Sequence, residues 1–80
     1  MPTVMRISPY PFFFYLNESS EPRHVHVRYG DSEAKFWLEP LTLAWPLGLN
    51  DRQLAQVKRH IDDNLAFLIE SWDKLLGARS

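Results

Sequence analysis

Two histidines one residue apart, His24 and His26, are the side chains of this sequence best placed to do chemistry. On an extended strand both imidazoles project from one face, with Cα atoms about 7 Å apart. Two imidazoles and a carboxylate make up part of a zinc or iron site, and Glu33, one cross-strand pair along on the neighbouring strand, is the expected third ligand. The blander use of Glu33 is an ion pair with Arg28. An imidazole also titrates near neutral pH, so His24 and His26 qualify as acid and base candidates for RNA cleavage.

The residues that share this face extend the reading. Arg6, Arg28 and Lys35 bring positive charge, and Phe13, Tyr15 and Trp37 bring flat rings. Rings on a sheet that stack on unpaired bases, with cations beside them for phosphates, are the general design of sheet-based single-strand binders. The structural alternative is that residues 18–23 or 41–45 cover Phe13 and Trp37 and leave the histidine pair simply exposed. His60 reads as a boundary residue of a helix, and Lys58-Arg59 followed by Asp62-Asp63 reads as ordinary surface charge. No phosphate-binding glycine loop, Ser-His-Asp arrangement or two-cysteine motif occurs.

Strands must position these residues. His24 to Tyr29 and Ser32 to Leu38 flank Gly30-Asp31, a pair suited to a two-residue type II′ turn. That turn sets Tyr29 opposite Ser32, Arg28 opposite Glu33, Val27 opposite Ala34, His26 opposite Lys35, Val25 opposite Phe36 and His24 opposite Trp37. The valines then share an apolar face with Ala34 and Phe36, and the histidines lie on the other. A first hairpin pairs Thr3 to Ile7 with Phe12 to Asn17 across Ser8-Pro9-Tyr10-Pro11. Its apolar side carries Met5, Ile7, Phe12, Phe14 and Leu16, and its other side Arg6, Phe13, Tyr15 and Asn17. The polar run from Glu18 to Arg23 reads as a mobile surface loop. Leu41 to Trp45 is either a fifth strand or an irregular apolar crossing.

One long helix follows. Asn50 is a favourable cap, Gln53 completes a capping box, and Leu49 with Leu54 can form a hydrophobic staple. Leu54, Val57, Ile61, Leu65, Leu68, Trp72 and Leu75 recur at steps of three and four, the period of a buried stripe. Ile69 and Leu76 widen it, and Gly77 supplies a stop. A helix from Asn50 to about Leu76 spans roughly 40 Å, more than a sheet of short strands needs, so the turns from Phe67 to Leu76 are expected to overhang and meet a partner or a second copy. The fold class predicted is α+β, an antiparallel meander of four to five strands packed on one long C-terminal helix. The sheet takes 3–38, a linker 39–49 and the helix 50–76, in a single domain 1–80.

Composition agrees with one small folded unit. Eighty residues suffice for one core and not for two. The 45% hydrophobic share is that of a globular chain rather than a disordered one. Absence of cysteine removes disulfides and thiolate metal sites, which makes a cytoplasmic location the expectation. No run approaches the roughly 20 apolar residues of a membrane span, and a net charge of −1 leaves nucleic-acid contact to a local patch.

Several segments, MPTVMRI, FFFYLNE, EPRHVHV and EAKFWLEP, resemble a family of small bacterial proteins catalogued as domain of unknown function 4160. That family's pattern marks Phe13, Phe14, Tyr15, Asn17, Glu18, Pro22, His24, His26, Val27, Ala34, Lys35 and Pro40. Arg23 stands where the pattern has proline, and Ala44-Trp45-Pro46 stands in a segment usually rich in arginine. The resemblance implies a component of a toxin–antitoxin-like gene pair whose partner is the small protein of the adjacent gene. The first expectation is RNA or partner binding through Arg6, Tyr15, His24, His26, Arg28, Lys35 and Trp37, with a C-terminal helix able to form a homodimer and no cofactor. The alternative is a small ribonuclease, or a metal site built on His24, His26 and Glu33.

Overall fold

The protein is described by a computed structural model, which places residues 2–77. Five strands form one antiparallel meander in the order β1-β2-β3-β4-β5. They run over Thr3–Ile7, Tyr10–Phe13, His24–Tyr29, Ser32–Leu38 and Leu41–Trp45. The apolar segment after Pro40 is therefore a fifth strand. It pairs through Leu38↔Leu41 and Phe36↔Leu43, and a register shift between Lys35 and Phe36 then sets Lys35 against Trp45.

The central hairpin follows the alternation of its side chains. All six pairs expected for β3 and β4 are present, from Tyr29↔Ser32 to His24↔Trp37. Gly30 has φ +59° while Asp31 keeps a negative φ, as a type II′ turn requires. Val25, Val27, Ala34, Phe36 and Leu38 consequently enter one buried core with Phe12 and Phe14.

Strand β2 stops at Phe13, short of the expected Asn17. The chain turns away into a 3-10 helix over Leu16–Glu18, which leaves Leu16 exposed rather than in the core. Nor is the segment that follows a free loop. Glu18 reaches both histidines, Glu21 Oε1 accepts from Lys35 Nζ at 2.7 Å, and Arg23 ties Glu39 to Asp73. A polar run gave no sign of these partners because they lie on other elements, Lys35, Glu39 and Asp73 far along the chain and the histidines on the strand that follows.

Helix α1 spans Asp51–Asp63 and begins with the expected capping box. Gln53 N donates to Asn50 Oδ1 at 2.8 Å and Asn50 N donates to Gln53 Oε1 at 3.0 Å. The expected single helix is broken at Asn64, and α2 continues from Leu65–Trp72 into a π turn over Asp73–Gly77. Asn64 sits at φ −123°, ψ 23°, and its side-chain amide donates to the carbonyl of His60 at 2.8 Å. Such local side-chain bonding is why asparagine is a poor interior helix residue. The stripe survives the break in part: Val57, Ile61, Leu68, Trp72 and Leu76 are buried, Leu54 and Leu65 are half-buried, and Leu75, expected in the stripe, is exposed because the π turn rotates Leu76 inward in its place. Trp72 and Leu76 bring the last turns of the helix onto the core, with Trp72 edge-on to Phe14 at 5.4 Å between ring centroids, while Phe67 and Leu75 of the segment expected to overhang remain exposed. Among the described residues no helix is long and apolar enough to cross a membrane.

Candidate metal centre

Strand β3 puts His24 and His26 on the sheet face opposite α1, and the 3-10 helix lowers Glu18 onto them. Glu18 Oε1 lies 2.6 Å from His24 Nε2 and 2.8 Å from His26 Nε2. The three ligand-type atoms fall within 4.8 Å of one another. Both imidazoles are buried, at 0% and 1% exposure, while the Glu18 side chain keeps 23% of its surface.

The far nitrogens differ: one is committed and the other is not. His24 Nδ1 lies 2.8 Å from the carbonyl oxygen of Pro22, which can only accept, so Nδ1 is the donor. His26 Nδ1 lies 3.2 Å from Glu33 Oε2 but makes no hydrogen bond, which marks it as the one unpartnered buried side-chain polar atom among the described residues. An acceptor behind the ring, with Nε2 facing a carboxylate, is the arrangement that orients a histidine as a metal ligand, and His24 has it while His26 has only the nearby Glu33 charge.

Rings enclose the pair. Phe13 stacks on His26 at 5.6 Å, and Tyr15 meets the same imidazole edge-on at 4.5 Å. Trp45 stands 5.6 Å from His26, and Trp37 and Trp72 stand 5.5 and 4.8 Å from His24. Burial of His26 in this setting pushes its imidazole below the ordinary 6.5, which outweighs the opposing hydrogen bond and charge of Glu18. Partial burial pushes Glu18 up, but hydrogen bonds to His26 and His24 outweigh it and hold the carboxyl below its usual value. At neutral pH the set therefore offers a carboxylate and a neutral His26, the protonation states that a divalent metal ion needs.

An ion would require the cluster to adjust. Ligands at about 2.0–2.1 Å from a tetrahedral zinc are separated by roughly 3.3 Å, whereas the atoms here range from 2.6 Å to within 4.8 Å of one another, so the imidazoles would close in and Glu18 would retreat by about half an ångström. Its place on a short, half-exposed 3-10 turn permits that.

The sequence-derived residues are distributed differently from expectation. Glu33, the anticipated third ligand, sits on the Nδ1 side of His26, where it accepts from Tyr15 Oη at 3.2 Å and pairs with Arg28 at 3.5 Å. The register fixes this, since Glu33 stands opposite Arg28 and not opposite a histidine. Arg28 lies over the Phe13 ring at 4.8 Å, and Lys35, itself buried, lies over Trp37 at 4.4 Å. Phe13 and both histidines are thus covered rather than offered to bases. Arg6 is exposed on the edge strand β1 and stands apart from the cluster. Sequence reasoning missed Glu18 as a ligand and Trp45 and Trp72 as walls. The available signal was that Glu18 and Pro22 belong to the family pattern together with the histidines.

A family model described as Domain of unknown function (DUF4160) matches residues 10–73. No curated protein and no solved structure matches the chain. The matched stretch runs from β2 to the end of α2 and contains Glu18, His24 and His26, and on that extent the chain belongs to the DUF4160 family.

Proposed function

We propose that this chain is a small metal-binding domain in which Glu18, His24 and His26 hold one divalent ion of the zinc class. The observation that carries the reading is the convergence of two Nε2 atoms on a single carboxylate oxygen, while His24 Nδ1 is committed to a carbonyl. With that nitrogen protonated, His24 Nε2 meets Glu18 at 2.6 Å only if a second proton or a cation lies between them. Imidazole and carboxylate without sulfur suit zinc, iron, copper or nickel rather than calcium or magnesium. This revises the expectation of a chain without a cofactor and replaces Glu33 by Glu18 in the ligand set.

In this reading the ion fastens residues 16–23 to β3 and so completes the cover over one face of the sheet, with its fourth position open on the half-exposed side of Glu18. In a toxin–antitoxin-like pair, which the family resemblance implies, partner contact would then depend on the loaded fold. Co-expression with the adjacent gene product tests that pairing, and a partner that fails to co-purify counts against it.

Calorimetric titration of the purified protein with zinc at neutral pH tests the site itself. The expected result is one ion per chain, with affinity lost in Glu18→Gln and in His24→Gln. Glu18 is partly exposed, so its variant remains folded by circular dichroism even where the buried His24 variant does not. Undiminished zinc binding in folded Glu18→Gln would overturn the assignment.

A further inference from the structure

We infer a second binding surface on the opposite side of the molecule: the outer face of α1 is a cationic groove for the phosphate backbone of single-stranded nucleic acid. Arg52, Gln56, Arg59 and His60 line a groove of about 350 Å³, with the small side chain of Ala55 between the two arginines. Ala55 and Arg59 also line an adjoining groove of about 550 Å³, where Lys58 and Leu41 join them with the carboxylate of Asp62; a second exposed carboxylate, Asp63, lies one turn beyond Arg59 on the same helix face. Arg52, Ala55, Gln56 and Arg59 follow one another at steps of three, one and three, so they share a face of the helix. That face points away from the stripe of Leu54, Val57 and Ile61 that packs on the sheet.

Two features set these cations apart from ordinary surface charge. Neither Arg52, Lys58 nor Arg59 makes an ion pair among the described residues, whereas Arg23, Arg28 and Lys35 all do. Arg52 also lies in the first turn of α1, where the helix dipole disfavours a cation. Helix stability does not account for it, and the positive helix end adds to its attraction for an anion. Arginine forks match phosphate oxygens. On the side of His60 and Gln56, Tyr10 donates from Oη to Gln56 Oε1 at 2.9 Å and stands 5.7 Å from Tyr29, a ring 43% exposed and free to meet a base. Cations that track phosphates next to an open aromatic ring are the components of single-strand binding. The RNA contact expected at the histidine face is therefore moved to α1, where the groups are accessible.

Fluorescence anisotropy with labelled oligouridylate, oligothymidylate and polyglutamate tests the surface, using the whole protein with its metal site unchanged. Three cations predict a plot of log affinity against log salt with slope of about −2. The exposed double variant Arg52→Glu/Arg59→Glu should lose at least roughly tenfold in affinity for both oligonucleotides while it keeps its fold and its zinc binding. Tyr29→Ala should weaken binding without altering the salt slope. Oligonucleotide affinity unchanged in the double variant, or tighter binding of polyglutamate than of either oligonucleotide, would overturn the inference. Both outcomes are independent of zinc binding at Glu18, His24 and His26.

Discussion

His24 Nε2 lies 2.6 Å from Glu18 Oε1 although the other nitrogen of the same ring is held 2.8 Å from the Pro22 carbonyl. One carboxylate oxygen serves two buried imidazoles, so removing its charge unsettles both. Glu18→Gln preserves shape and leaves two ring nitrogens facing a neutral amide. The metal-free variant should lose about 1.5–3 kcal/mol of stability, the range for hydrogen bonds to charged groups. Urea unfolding reads this loss as a lower midpoint, and an unchanged midpoint would show that the cluster contributes nothing to the fold.

Acid should destabilise the metal-free protein in two stages. His26 is held below its ordinary 6.5 when folded, so the unfolded chain binds its proton first, and stability begins to fall as pH drops through that value. Glu18 is also lowered. Its contribution is present above the ordinary carboxyl value of 4.5 and is lost as pH falls through the lower folded value. Both shifts have the same sign, so stability declines from neutral pH downward. Unfolding midpoints measured across that range in the protein and in His26→Gln should differ in the upper stage. Parallel profiles would remove His26 as its cause.

All three tryptophans of the chain adjoin the histidine pair, with ring centroids 4.8 to 5.6 Å away. Copper(II), which prefers imidazole ligands, should therefore quench most of the intrinsic fluorescence at one equivalent. The quench should be absent in folded Glu18→Gln. Emission insensitive to copper would place the metal elsewhere.

Gly48 precedes the staple residue Leu49 at φ +93°, and a methyl group on its Cα would strike the Ser32 side chain. Gly30 is at φ +59° with open space around it. Gly30→Ala should thus cost about 1 kcal/mol, from backbone strain alone. Gly48→Ala adds steric conflict where Leu47 O accepts from Glu33 N at 2.9 Å, and it should cost about 2–4 kcal/mol. Thermal unfolding of the two variants side by side checks the order.

The central hairpin was legible because alternation and a two-residue turn specify register locally: one glycine at positive φ fixes all six pairs down to His24↔Trp37. The start of α1 was legible for a similar reason, since Asn50, Gln53 and the staple lie within five residues of one another. What pattern reading could not supply depends on distant partners. Glu18 joins the histidines only because β2 ends at Phe13, and the ordering of residues 18–23 rests on Lys35, Glu39 and Asp73. The break at Asn64 was hidden because the apolar stripe runs straight through it. Burial of the histidine face followed from the same gap, as its cover comes from residues read as a loop and from Trp72.

The most direct test of the metal centre is zinc-edge X-ray absorption on protein loaded with one equivalent and dialysed. The account predicts retained zinc with two imidazole nitrogens and a carboxylate oxygen at about 2.0–2.1 Å, and no such spectrum from folded Glu18→Gln. Zinc lost on dialysis, or a first shell without imidazole, would contradict it.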